Sequence, residues 1–211
     1  MLFDFSTLSG HDTYKLLAST VIPRPIAWVI TQSPEGVVNA GPYSFFNVLS
    51  GDPAIVAVGV GARSNGAIKD SGLNIRSGGQ FVVNLVTMDH AEAMNVTAID
   101  FPHGVDELAE AGLRTVASTK VAPPRIADSP VALECEHFQT LEVGPERWIV
   151  LGRVVAMHIA DEAVLDASRC YVDSAKLDLI GRMAGAGGYV RTTDRFEMAR
   201  IPLEGWKAAA E

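Results

Sequence analysis

Cysteine is almost missing from this chain: its 211 residues hold two, Cys135 and Cys170, with no CxxC pair or other metal-ligand spacing. A disulfide framework is therefore not expected, and a reducing compartment is. Long apolar runs are missing too. "AIVAVGVGA" (Ala54 to Ala62) falls far short of the roughly 18 residues that cross a bilayer. "MLFDFSTLSG" has neither the basic stretch nor the long apolar stretch of a signal peptide. A cytoplasmic location with no membrane partner is the expectation. Basic clusters are absent as well: 17 Lys and Arg against 25 Asp and Glu give a net charge of −8. No face is set to neutralise a nucleic-acid backbone, and any phosphate bound here must be held locally.

Signature motifs of covalent and metal catalysis are also lacking. There is no GxSxG and no HExxH, and the five histidines (His11, His90, His103, His137, His158) are scattered. Cys135 and His137 would share one face of a strand and Glu134 and Glu136 the other, an alternation that reads as packing against solvent. No catalytic residue and no metal site is assigned.

What is present is an ordinary globular composition, 48% hydrophobic and 20% charged, with 19 Gly and 11 Pro spread along the chain. One domain over 1–211, with a core of about 20–190, is expected. Ser9 and Asp12 make a capping signal for a helix through "DTYKLLAST", which should end before Pro23. "IAWVIT", the turn "SPEG" and "VVNAGPYSFF" read as a hairpin, followed by an apolar strand "AIVAVGV". A helix is expected in the first half of Ser64 to Gly79, then the strand "QFVVNLV" and short helices in "DHAEAMNVTAID" and "VDELAEAGL". Two long strands, "VALECEHFQTLEV" and "RWIVLGRVVAMHIA", flank "GPE", and the tail "GRMAGAGGYV" reads as irregular. Consecutive strands with few helices favour a mostly antiparallel barrel or sandwich.

Two stretches carry possible chemistry. "GVGARSNGAIK" follows a strand, but its third glycine comes too late for a dinucleotide fingerprint, and Ala67 stands where a P-loop needs Lys. Gly59 and Gly61, then Arg63, Ser64, Asn65 and Lys69, fit either a local phosphate site or a common strand-to-helix turn with solvated charges. In "AGPYSFFN" (Ala40 to Asn47), Pro42 removes a ladder donor, so the strand must be an edge or be interrupted. Its free backbone groups suit a flat heteroaromatic ring, or simply a surface bend.

The blocks "PRPIAWVIT", "NAGPYSFFN", "KDSGLNI", "FVVNLV", "AEAMNVTA", "VDELAEAGL", "APPRIADSPVALEC" and "VVAMHI" resemble, in order, the flavin reductase-like proteins of the FMN-binding split-barrel superfamily, in the branch that includes flavoredoxin-type proteins. The resemblance runs from about Pro23 to Tyr189. It implies a mainly β fold, a six-stranded antiparallel Greek-key split β-barrel with peripheral helices. It further implies a homodimer with non-covalent FMN near its interface. By the same resemblance the flavin-ring segment falls on Asn39, Ala40, Tyr43, Ser44 and Phe45. The phosphate segment falls on Arg63, Ser64, Lys69, Asp70 and Ser71, with Ser71 where relatives often carry Thr, and Thr31 and Asn84 are expected to line the same cleft. Arg24, Asn95, Arg182 and Tyr189 lie in family blocks without an assigned role.

The expected activity is NAD(P)H-dependent flavin reduction, with a monooxygenase or redox protein as partner. The alternatives are an FMN-bound electron carrier that does not oxidise nicotinamide, and a structural barrel with no flavin. In either flavin reading, the ring and phosphate segments must open onto one groove.

Overall fold

A computed structural model describes residues 1–185 and 187–203 of the chain. Seven strands form one antiparallel sheet: β1 (Ala27–Gln32), β2 (Val38–Tyr43), β3 (Phe46–Gly51), β4 (Ala54–Val60), β5 (Gln80–Leu85), β6 (Val131–Gly144) and β7 (Arg147–Ile159). Their order across the sheet is β2-β1-β5-β6-β7-β4-β3. The mainly β, antiparallel architecture agrees with the expectation, but the strand count is seven rather than six. The sheet is also not closed by a ladder: β2 and β3, its two edges, are consecutive in the chain and separated only by Ser44 and Phe45. One backbone bond crosses near this seam, from Gly59 N to Phe45 O at 2.7 Å.

Alternation along the strands sorts the core into an interior and an outer face. Ala27 and Val29, Tyr43, Phe46, Val56, Val58 and Val60, Phe81 and Val83, Leu133 and Cys135, and Val150 meet inside the rolled sheet. The intervening Trp28, Ile30, Ala40, Val82 and Ala132 face outward and pack beneath the loops and helices that follow β5. Trp28 is fully buried there, and its indole N–H donates to Thr97 Oγ1 at 2.9 Å. β6 and β7 bridge the halves, and three register shifts in their pairing let this long ribbon bend. Phe81 fits because Gly152 has no Cβ: a methyl there would lie 2.8 Å from Phe81 Cε1.

Around the sheet lie α1 (Gly10–Thr20), α2 (Asp70–Gly78), α3 (Ala91–Val96) and α4 (Glu107–Glu110). α1 begins as its capping signal predicts, with Asp12 N donating to Ser9 Oγ at 3.1 Å. The "SPEG" turn also forms, with Gly36 at φ 89° and its N–H on Ser33 O. Three expectations are corrected. α2 starts at Asp70 rather than near Ser64, because the Ser64 amide is taken by Asp100 Oδ2 (3.0 Å). The glycine-rich tail is not irregular: Ile180–Met183 pairs with Gly188–Arg191, and Gly181 and Gly188 are themselves strand residues. Glu134 does not face solvent; it is fully buried beneath the loop after residue 117, where it accepts from Thr119 N, Lys120 N and His158 Nε2.

Candidate functional site

β2 walls the site. Its Gly41-Pro42 lies at the sheet edge, as the missing Pro N–H requires, and Trp28 stands opposite Pro42. Two cavities border this edge, and a third shares lining residues with one of them. The middle one is a narrow waist of about 60 Å³ between Asn39–Tyr43, Arg63, Lys69–Ser71, Thr97–Phe101 and Glu107. On one side a cavity of about 540 Å³ shares Pro42, Tyr43 and Ala98 with the waist, and adds Tyr14, Ser44, Asn95, Arg182 and Tyr189. On the other side a cavity of about 510 Å³ shares Arg63, Asp70, Asp100 and Phe101 with the waist. Ser44 and Lys69 thus line two cavities that share Pro42, Tyr43 and Ala98.

The waist carries balanced charge. The Arg63 guanidinium donates to Asp70 Oδ2 and to Phe101 O, each at 2.6 Å. Asp70 is buried, and its other oxygen meets His103 Nδ1 at 3.0 Å. Lys69 Nζ lies 3.8 Å from Asp100 Oδ1 and 5.9 Å from the centre of the Tyr43 ring. The Ser64 amide and hydroxyl hold the Asp100 carboxyl below its ordinary pKa. No side chain caps α2, so Lys69 and the first amides of that helix are what the waist offers an anion.

Behind them lies a buried acid. Glu107 is 6% exposed, and its Oε2 accepts from Ala40 N at 2.9 Å. The Asn39 amide, turned so that Nδ2 donates to Glu107 Oε1 (3.3 Å), accepts from Ser71 Oγ at 2.9 Å. Burial raises the Glu107 pKa, and neighbouring Asp70 raises it further. Burial likewise pushes the Tyr43 phenol up to about 12.

Of the residues singled out in the sequence, Asn39, Ala40, Tyr43, Arg63, Lys69, Asp70 and Ser71 meet at the waist, Ser44 enters the 540 Å³ cavity and Ser64 the 510 Å³ cavity. Three roles change on the geometry. The Ala40 amide, expected to be free for a ring, is already bonded to Glu107. Phe45 turns away toward α1, into a cavity shared with Leu17 and Val21, while Tyr14, stacked on it at 5.9 Å, faces the groove. Thr31 and Asn84 line none of these cavities: Thr31 Oγ1 accepts from Asn74, and Asn84 bonds Trp28 O and Ile126 N.

Sequence reasoning gave no place to Glu107 and Asp100 at the waist, nor to Glu92 and Tyr14 beside Ser44. It flagged Asn95, Arg182 and Tyr189, which gather in the 540 Å³ cavity, with the Arg182 guanidinium 4.6 Å from the Tyr189 ring centre. Arg24 is buried and binds Ala18 O, Val21 O, Ala184 O and Ser44 Oγ, tying α1 and the 180–191 hairpin to the seam.

A family model described as "Flavin reductase like domain" matches residues 18–176. The chain belongs to the flavin reductase-like domain family, which places it among flavin-handling oxidoreductases. It is 44% identical over 209 residues to an uncharacterized protein of Deinococcus radiodurans, covering 97% of this chain and 92% of that one. Among solved structures it is similar to the 2-nitrobenzoate 2-nitroreductase of Pseudomonas fluorescens, with a TM-score of 0.87 and 34% identity over 96% of this chain and 97% of that chain. It is also similar to component B of nitrilotriacetate monooxygenase from Bacillus cereus, with a TM-score of 0.87 and 29% identity over 94% and 98%.

Proposed function

We propose that this protein binds FMN non-covalently along the groove and reduces it with hydride from NAD(P)H. One observation carries the reading: a cavity large enough for a ring system adjoins a waist that presents Lys69 and the uncapped start of α2, and both share the Pro42–Tyr43 wall. The fit is chemical as well as spatial. Lys69 and the uncapped start of α2 suit a phosphomonoester. Pro42, Tyr43, Tyr14 and Tyr189 give the wide cavity flat walls.

When bound, the flavin supplies the two-electron chemistry, so no acid, base or nucleophile of the chain is required. The protein's part is to place the two rings and to balance charge. With the Ala40 amide occupied, that balance falls to cations. Arg24 reaches the Ser44 hydroxyl at 3.4 Å, and Arg182 lines the cavity itself. Both favour the negative charge that reduction leaves on a ring held there. Burial of Arg24 lowers its pKa, but a guanidinium stays charged.

The homodimer belongs to this proposal. Beside the seam, Phe45, Leu17 and Val21 are exposed and, with Ala57 and Ile149, line an apolar cavity of about 410 Å³ on the uncovered face of β4 and β7. A second copy seated there would set the Ser44 corner close to the subunit boundary. Reduced flavin would then pass to a monooxygenase or another redox protein, as the name of the Bacillus cereus relative suggests.

The test is to purify the protein, record its flavin absorbance with added FMN, and mix it anaerobically with NADH and with NADPH. Bleaching at a catalytic rate is the expected result. A bound flavin that neither nucleotide bleaches makes the protein an electron carrier, and no flavin binding overturns the reading.

A further inference from the structure

Glu107 is a buried acid with no cation bonded to it among the described residues, and hydride chemistry gives it no task. Its neighbour Asp70, by contrast, holds Arg63 and His103. The groups that reach Glu107 are amides: Ala40 N at Oε2 (2.9 Å) and one end of the Asn39 side chain at Oε1 (3.3 Å). The other end of that side chain lies 2.9 Å from Ser71 Oγ, which lines the waist. Three polar groups thus stand in a row, and the middle one can face either way.

The two orientations answer to the two states of the acid. When Glu107 is ionised, Asn39 Nδ2 faces it, so Asn39 Oδ1 takes the Ser71 hydroxyl proton and the waist loses that donor. When Glu107 is protonated, its Oε1–H donates to Asn39 Oδ1. The amide then turns, Nδ2 donates to Ser71 Oγ, and the hydroxyl proton is free to point at an anion. The Ala40 N–H stays on Oε2 in both states. Resting on the placement of a phosphate at the waist, we propose that Glu107 and Asn39 form a proton-linked relay: binding the phosphate draws a proton onto Glu107 and turns the Ser71 hydroxyl to the ligand.

The charges around the acid work in the same direction. A phosphate beside Asp70 and Asp100 disfavours a third carboxylate in the wall, while Arg63 and Lys69 offset part of that repulsion. His103 lies on the outer oxygen of Asp70, and the Tyr43 phenol, pushed up to about 12, stays neutral. On α4 itself, Asp106 is engaged by the Leu108 and Ala109 amides and Glu110 is exposed. Burial already raises the Glu107 pKa, so this acid is closer to protonation than an exposed glutamate. A further rise on binding puts the highest affinity below the pKa of the free protein. Affinity then falls as pH rises through that value and levels off above the pKa of the complex.

FMN binding is followed by calorimetry in buffers of different ionisation heat, which counts the protons taken up, from about pH 5 to about pH 9. The second proton of the FMN phosphate, lost at about pH 6, contributes alike in every variant. At its maximum the wild type should take up about half a proton or more in excess of Glu107→Gln, and the ratio of wild-type to variant Kd should rise at least about fivefold across the range. Riboflavin, which has no phosphate, should show no such excess. Ser71→Ala keeps the acid but removes the end of the relay, and it should lose more than about half of the excess. An excess retained in Ser71→Ala overturns the relay. Equal proton counts in the wild type and Glu107→Gln, or an excess as large with riboflavin as with FMN, overturn it too. Where Glu107→Gln fails to fold, the Ser71→Ala and riboflavin comparisons with the wild type decide the matter by the same criteria. Failure of the wild type to bind FMN overturns the phosphate reading itself, and this inference with it.

Discussion

Lys69 and Asp100 give paired predictions of opposite sign. Lys69 is the cation of the waist least committed to other partners, its only ion pair among the described residues being the 3.8 Å contact with Asp100. Its side chain is 34% exposed, so water screens the charge, and its hydrogen bond to a phosphate belongs at the low end of the charge-assisted range. Lys69→Ala should cost about 1–2 kcal/mol, a roughly 5- to 30-fold rise in the Kd for FMN. Asp100→Asn removes a negative charge from beside the same phosphate and keeps an oxygen for the Ser64 amide. At this half-exposed depth the repulsion relieved is on the order of 1 kcal/mol, so FMN should bind several-fold tighter. Both variants are titrated with FMN by fluorescence at low and high salt. The two effects should shrink together as salt rises. A Lys69→Ala protein that binds FMN as the wild type does, or an Asp100→Asn protein that binds it more weakly, refutes the phosphate assignment.

Arg63 should behave differently from Lys69. Arg63→Ala leaves the buried Asp70 with His103 as its remaining charge partner, so it should cost stability of about 3 kcal/mol in a denaturant titration besides weakening FMN; an unchanged midpoint contradicts this. Burial raises the Glu107 pKa, so the folded state holds that proton more tightly than the unfolded chain. Stability from this group is present at low pH and lost as pH rises through the folded value. The melting temperature of Glu107→Gln should therefore gain on the wild type as pH rises above the ordinary glutamate range; a constant gap refutes it. Gly152→Ala forces a methyl against the buried Phe81 ring and should destabilise by about 1–3 kcal/mol in thermal melts, with FMN affinity per folded molecule unchanged.

The strands were legible because their evidence is local. The β-branched and aromatic residues that mark β1 stand in six consecutive positions, Ile26 to Thr31. Ser9 with Asp12, and Pro42 at a sheet edge, were legible for the same reason. What failed depended on distant partners. The start of α2 moved because Asp100, 36 residues away, captures the Ser64 amide. Glu134 read as solvent-facing because nothing near it in the chain announces the amides of Thr119 and Lys120 that cover it. Thr31 and Asn84 were drawn toward the cleft by resemblance, but their hydrogen bonds to Asn74 and Ile126 hold them in the interior. Glu107 lies in a stretch legible only as a short helix, and only the fold brings it under Ala40.

The position of the groove follows from the open seam. Because β2 and β3 sit at opposite edges of one rolled sheet, the chain must turn from one edge to the other within Ser44 and Phe45. A seam of this kind leaves edge groups without ladder partners, and each must be met or made unnecessary. Pro42 removes one donor, Glu107 accepts another from Ala40, and Gly59 donates to Phe45 O. Arg24 then ties Ser44 to the end of α1 and to the 180–191 hairpin. That cation holds together walls drawn from Tyr14, Ser44, Arg182 and Tyr189, which are far apart in sequence. Pro42, on the free edge of an unbroken β2, thus serves both the open sheet and the ring-sized cavity beside it.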